Sequence, residues 1–108
     1  PDGDPEVLAS TDDFDIFGFK FKKLDKELAR HLRYPQGIRG LVVTEIKPDS
    51  QAGRSGVRQG DLLVEINHKK VVDHEEYTRE VHRIQKGYVA RMLFRRGNSH
   101  VFVVRFEK

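Results

Sequence analysis

The sequence predicts a single α+β domain in which β-structure dominates, and three observations carry that reading. Hydrophobic residues make up 37% of the 108, enough for one compact core and not two. Five stretches have the apolar patterning of strands, and only two have apolar residues at helical spacing. The longest uninterrupted apolar run is four residues, Val101 to Val104, against the roughly 20 that a membrane-spanning helix needs. No membrane span is expected.

Residues 1–13 combine Pro1, Gly3, Pro5 and Ser10 with four aspartates, and Val7 and Leu8 are their only long aliphatics. They read as a flexible acidic linker, leaving 14–108 as the folded domain. No stretch of this linker joins a basic region to an apolar one, so a secretory signal is not expected within it. From Phe14 to Lys23 aromatics alternate with charge or glycine, with Phe17, Phe19 and Phe21 on one face and Gly18, Lys20 and Lys22 on the other. That is a half-buried strand. Leu24, Leu28 and Leu32 then recur at helical spacing behind Asp25, a residue suited to cap a short amphipathic helix that Tyr34-Pro35-Gln36-Gly37 ends.

Leu41 to Ile46 is the second strand, and the small residues from Ala52 to Gly56 suit a single helical turn. Leu62 to Ile66 is the third strand. Asp73 opens the best helix in the chain, because Glu76 completes a capping box and Tyr77, Val81 and Ile84 supply a buried stripe. Gly87 suits its C-terminal end. Tyr88 to Arg96 and His100 to Phe106 both alternate about the tight-turn dipeptide Gly97-Asn98, which predicts a C-terminal hairpin.

The formal charge of +3 is the sum of two unequal parts. Residues 1–16 hold six acidic residues and no Lys or Arg, giving −6, and the other 92 residues carry +9. A basic body allows polyanion binding, but without a basic stripe an ordinary solvated surface is the simpler reading, and no nucleic-acid partner is expected. The chain has no cysteine, which excludes disulfides and thiol chemistry.

Candidate catalytic and metal motifs fail on chemistry. Gly53-Arg54-Ser55-Gly56 has the glycine-flanked serine of a nucleophile, yet a serine nucleophile also needs a histidine base, an orienting acid and an oxyanion hole. The protease folds that supply them need roughly 200 residues. His74 and His82 are eight residues apart on one helix, roughly 12 Å along its axis, too far to share an ion. No other close His/Glu ligand spacing occurs, and no cofactor is expected. Gly37-Ile38-Arg39-Gly40 lacks the lysine and the following helix of a phosphate loop.

Ile16-Phe17-Gly18-Phe19 does carry chemistry. A glycine between aromatics, where a loop becomes a strand, lets consecutive backbone N–H groups point into one concavity and hold a carboxylate. An adjoining strand edge can accept an extended peptide as an added strand. This tetrapeptide resembles the carboxylate-binding loop of PDZ domains. The stretch from Leu41-Val42-Val43 through Asp49-Ser50-Gln51-Ala52 and Gly56 to Gly60-Asp61-Leu62-Leu63-Val64-Glu65-Ile66-Asn67 is similar to the corresponding segment of bacterial PDZ domains. Ser50, Ala52, Gly56, Gly60, Asp61 and Asn67 fall in register, and Ser55 stands where the family usually has alanine.

The Phe-Gly-Phe strand, the helix before the Val-Val strand and the terminal Arg-Gly-Asn hairpin most resemble the C-terminal PDZ domain of HtrA/Deg (Do-like) serine proteases of the bacterial envelope. The resemblance implies a circularly permuted PDZ, a partly open barrel or sandwich of five or six strands with two main helices. Its last strand, around Val101 to Phe106, takes the place that the first strand holds in eukaryotic members. It also implies that this chain catalyses nothing, its parent's catalytic triad lying in a separate trypsin-like domain. Partners would be that protease domain, in a parent that could be oligomeric, and hydrophobic C-termini or unfolded polypeptide segments. The location would be the bacterial periplasm or envelope.

Carried over residue by residue, the resemblance puts a bound peptide alongside Phe19-Lys20-Phe21-Lys22. Its carboxylate would meet the amides of Phe17, Gly18 and Phe19, beside Ile16. His74, Thr78, Val81 and His82 would form the helical wall, while Tyr77 and Ile84 turn into the core. Val81, Phe17 and Phe19 would receive the terminal side chain, and His74 would bond a Ser or Thr hydroxyl two residues before the C-terminus. Asp12, Asp13 and Asp15 depart from this pattern, since their charge could weaken C-terminal binding or favour internal or positively charged segments. Ile16 replaces the first glycine of the eukaryotic loop, and His68-Lys69-Lys70 replaces an Asn-Gly turn with a basic one. The same fold also occurs in tail-specific proteases, intramembrane site-2 proteases and secretion scaffolds, which are the alternative parents.

Overall fold

The computed structural model describes residues 14–108, so the expected linker over 1–13 lies outside the described residues. Six antiparallel strands form one sheet: β1 (Phe19–Lys23), β2 (Leu41–Ile46), β3 (Leu62–Ile66), β4 (Lys69–Lys70), β5 (Val89–Arg96) and β6 (His100–Glu107). Their order is β1-β2-β3-β5-β6, with β4 paired to β3. The sheet curls without closing into a barrel, so β1 and β6 are its edges. Two helices, α1 (Lys26–Leu32) and α2 (His74–Arg83), complete the α+β fold.

The sequence pattern of β2 explains the layering. Leu41, Val42 and Val43 are all buried, because both faces of this part of the sheet are covered. Leu41 and Val43 join the main core with Phe17, Phe19, Leu63, Ile66, Met92, Phe94 and Phe106, under Tyr77 and Ile84. Val42 and Leu62 face the other way, against Tyr34 and the half-buried Leu28, Ala29 and Leu32 of α1. Aromatic contacts knit the main core, with Phe19 lying 5.7 Å from Phe94 and 5.4 Å from Phe106 between ring centres.

Both helix starts follow the expected caps. Asp25 accepts the Leu28 amide at 2.7 Å and Asp73 accepts the Glu76 amide at 2.8 Å. Glu76 reaches back to the Val72 amide, one residue earlier than a capping box requires. α1 ends on Arg33 in the left-handed region, one residue before Tyr34-Pro35. α2 ends at Arg83, with Ile84 extended and buried, so Gly87 serves the turn into β5 instead of the helix. The Lys108 ammonium donates to the Val81 and Ile84 carbonyls at 2.8 and 2.6 Å, filling the acceptors that this helix end leaves open.

Three other expectations are corrected and one is met in part. β1 begins at Phe19, not Phe14, because residues 14–18 are held in a turn by the side chain of Asp15. Ala52 to Gly56 lies in successive turns with one helical bond, from Arg54 N–H to Ser50 O at 3.2 Å, which the Ser50 hydroxyl starts by accepting the Gly53 amide and Gly56 ends at φ +90°. The C-terminal hairpin closes on three residues and not two, because Arg96 pairs with His100 and the Arg95 guanidinium donates to the Gly97 and Asn98 carbonyls. Lys69-Lys70 is a short strand, formed because Asn67 and His68 both take positive φ and turn the chain back onto Glu65-Ile66.

Candidate peptide groove

Backbone pairing determines which groups of β1 remain available. Lys47 N–H donates to Gly18 O at 2.8 Å and Leu24 N–H to Gly40 O at 3.0 Å. The register slips once, leaving Thr44 of β2 without a partner on β1, and its hydroxyl donates to Lys20 O. Alternation then directs the backbone groups of Gly18, Lys20, Lys22 and Leu24 toward β2 and those of Phe19, Phe21 and Lys23 outward. Among the described residues, the edge that no strand pairs is the one beside α2.

The loop ahead of β1 is set from behind. Ala52 N–H donates to Phe17 O and Lys47 N–H to Gly18 O, each at 2.8 Å. Because a peptide group is planar and trans, fixing those carbonyls turns the amides of Gly18 and Phe19 to the opposite side. Gly18 adopts φ +107°, and a Cβ there would run into the side chain of Ser50. Glycine is therefore required twice, by conformation and by space. Ser50 itself is held by its bond to Lys47 O at 2.6 Å.

The three amides converge as the sequence implies, and they converge on a residue of this chain. Asp15 Oδ1 accepts from Phe17 N–H at 3.0 Å and from Gly18 and Phe19 N–H at 2.8 Å each. Oδ2 accepts the hydroxyl of Tyr77 on α2. Backbone bonds from Asp15 N–H to Phe19 O at 2.9 Å and from Gly18 N–H to Asp15 O at 3.1 Å close the turn. Burial pushes the Asp15 carboxyl above its ordinary value, and the bonds from Phe19, Gly18 and Phe17 oppose that rise. No cation pairs with it among the described residues.

The remaining expected residues divide into three groups. Phe17 and Phe19 are buried in the core, whereas Ile16 is 62% exposed at the loop tip. Lys20 lies 3.7 Å from Glu45 and 4.9 Å above the Phe14 ring. Phe21 is half-buried with its ring 4.9 Å from that of Tyr77. On α2, Tyr77 is buried, as is Ile84 just past its end, Val81 packs half-buried against the core, and His74, Thr78 and His82 share the exposed face. His74 Nε2–H donates to Phe21 O at 3.0 Å, joining the helix to the outward edge of β1.

Sequence reasoning treated Asp15 as a repelling charge and missed it as the group bound by the loop. The signal was the spacing, since an aspartate two residues before an amide readily accepts it as an Asx turn. Charge repulsion is a long-range argument, and by itself it does not show where local geometry seats the carboxylate.

Comparison with known proteins agrees with this geometry. A family model described as PDZ domain matches residues 16–103. Serine protease HTRA1 of Xenopus laevis is 30% identical over 77 residues, covering 70% of this chain and 16% of that protein. A probable periplasmic serine endoprotease, DegP-like, of Bartonella henselae is 43% identical over 47 residues, covering 44% of this chain and 9% of that protein. The chain thus spans less than a fifth of either relative. Among solved structures, the HtrA3 PDZ domain bound to a phage-derived ligand superposes with a TM-score of 0.70 at 23% identity, covering 84% of this chain and 81% of that one. The HtrA-type protease AlgW with a decapeptide also gives 0.70, at 26% identity, covering 84% of this chain and 27% of that one. With the glycine-turned loop, the strand edge and the facing helix all present, the chain belongs to the PDZ domain family and is homologous to the PDZ regions of HtrA-type serine proteases.

Proposed function

We propose that this chain is a peptide-recognition module of an HtrA-type serine endopeptidase of the bacterial envelope, holding polypeptide segments as an added strand for substrate capture or regulation. The observation that carries it is the outward edge of β1 at Phe21 and Lys23, which pairs with no strand among the described residues and faces α2, where His74 alone bridges to Phe21 O. An extended segment supplies main-chain partners there, while side chains at alternate positions meet Phe21, Thr78 and Val81. Peptide ligands in the HtrA3 and AlgW structures support the same reading. His74 must release Phe21 O when a strand adds, and it is then free to bond a ligand hydroxyl.

The test is an NMR titration of 15N-labelled protein with hydrophobic peptides, with and without Ser or Thr two residues before the C-terminus. Amides of Phe21, Lys23, Thr78 and Val81 are expected to shift together and saturably. His74→Ala is expected to weaken the Ser and Thr peptides selectively. Shifts confined to other surfaces, or saturable salt-sensitive binding of DNA in place of peptide, would overturn the assignment.

A further inference from the structure

We infer that Asp15 is a resident carboxylate that fills the terminal-carboxylate site, so that this groove needs no free C-terminus and takes internal segments as readily as terminal ones. The inference rests on the peptide-binding reading and adds the class of segment taken. Its ground is the geometry at the head of β1, where one side chain uses all three convergent amides. A carboxylate that reaches a three-amide nest from the same chain is not in the position of a solvent-exposed acid. It is two residues from the first amide it binds, and tethering at that range acts as an effective concentration of millimolar or more. A peptide terminus offered at micromolar concentration competes with it at a large disadvantage.

Contacts beyond the nest keep Asp15 in place. The Tyr77 hydroxyl on α2 holds the second oxygen, so both carboxylate oxygens are engaged, one from the loop and one from the helix. Asp15 N–H occupies Phe19 O as well, which removes the first outward carbonyl of the edge from use by a ligand. An incoming carboxylate would also have to sit beside the resident one, and two carboxylates sharing a site repel. What remains for a ligand is the edge from Phe21 onward. Nothing in that stretch requires a chain to end, so an internal segment can enter it and continue past the loop.

Calorimetric titration of one hydrophobic sequence in three forms tests this: C-terminal acid, C-terminal amide, and the same sequence embedded between flanking residues. The unaltered protein is expected to bind all three within about twofold. Asp15→Ala opens the nest, and the acid is then expected to bind at least tenfold more tightly than the amide. A tenfold acid preference already present in the unaltered protein overturns the inference while leaving the peptide-binding reading intact. Failure of every form to bind removes both. A second measurement needs no variant: on saturation with the acid peptide, the amide shifts of Phe17, Gly18 and Phe19 are expected to stay in place while those of Phe21 and Lys23 move. Movement of the three loop amides to new saturated positions would show that the ligand has taken the nest from Asp15.

Discussion

Two carboxylates are drawn into this domain, and they are satisfied in opposite ways. Asp61 is 2% exposed at the start of β3, and its two oxygens each accept from Arg96 at 2.8 Å while Oδ2 also accepts the Arg58 amide. Arg96 donates further to Gly56 O and lies against the Phe102 ring, so a single ion pair ties the 56–61 turn to the C-terminal hairpin. Asp15 has amides and a phenol, and no cation among the described residues. A buried charge paired with a guanidinium is a structural joint, because removing either partner strands the other. A carboxylate held by neutral donors at the mouth of a groove strands no buried cation when it is removed, and what its removal frees is the three-amide nest itself.

The difference should appear first in stability. Asp61→Ala leaves the guanidinium of Arg96 and the Arg58 amide without their partner, and it is expected to cost about 3 kcal/mol, the low end for a broken buried pair because Arg96 remains a third exposed. Asp15→Ala is expected to cost about 1 kcal/mol, since the loop amides and the Tyr77 hydroxyl can turn to water. Urea unfolding of both variants measures the contrast. Equal losses would mean that Asp15 is as structural as Asp61.

How much of this was legible beforehand differs between the two regions as well. β2 and β3 were read to the residue, because Leu41-Val42-Val43 and Leu62-Leu63 are buried on both faces and leave no ambiguity of period. The helix caps were equally readable, since Asp25 and Asp73 act on amides three residues away. β4 was not, because Lys69 and Lys70 carry no apolar pattern and are paired only through the positive-φ turn at Asn67 and His68. Within the groove, the converging amides of Phe17, Gly18 and Phe19 followed from one glycine and its neighbours. Their occupant did not. Composition does not distinguish Asp15 from Asp12 or Asp13, and only its spacing, two residues before Phe17, sets it apart.

The bond between Asp15 and Tyr77 is the second place to press the comparison. Tyr77→Phe keeps the buried ring and removes only the hydroxyl, so the expected loss is about 1 kcal/mol or less. Its signature should be local. Hydrogen exchange at the Phe17, Gly18 and Phe19 amides is expected to accelerate, while exchange along β5 and β6 stays as it was. A uniform acceleration across the sheet would place the tyrosine hydroxyl among the supports of the whole fold.

The smallest effect is also the most direct probe of how Asp15 is held. Because burial raises its carboxyl above the unfolded value of about 3.9, the native protein keeps the Asp15 proton over a range in which the unfolded chain has already lost it. Unfolding then releases a proton, so the Asp15 contribution to stability falls as pH rises through that range and is constant above the folded value. Other carboxylates titrate nearby, and Asp15→Asn removes their influence from the comparison, since it leaves them unchanged and retains a side-chain oxygen for the three amides. The stability of the unaltered protein minus that of Asp15→Asn, taken from urea midpoints, is therefore expected to decline from pH 4 upward and then level. A difference that climbs over the same interval would mean that the three amides and the Tyr77 hydroxyl stabilise the ionised carboxylate by more than burial costs it. Asp15 would then resemble Asp61 more than its neutral donors suggest.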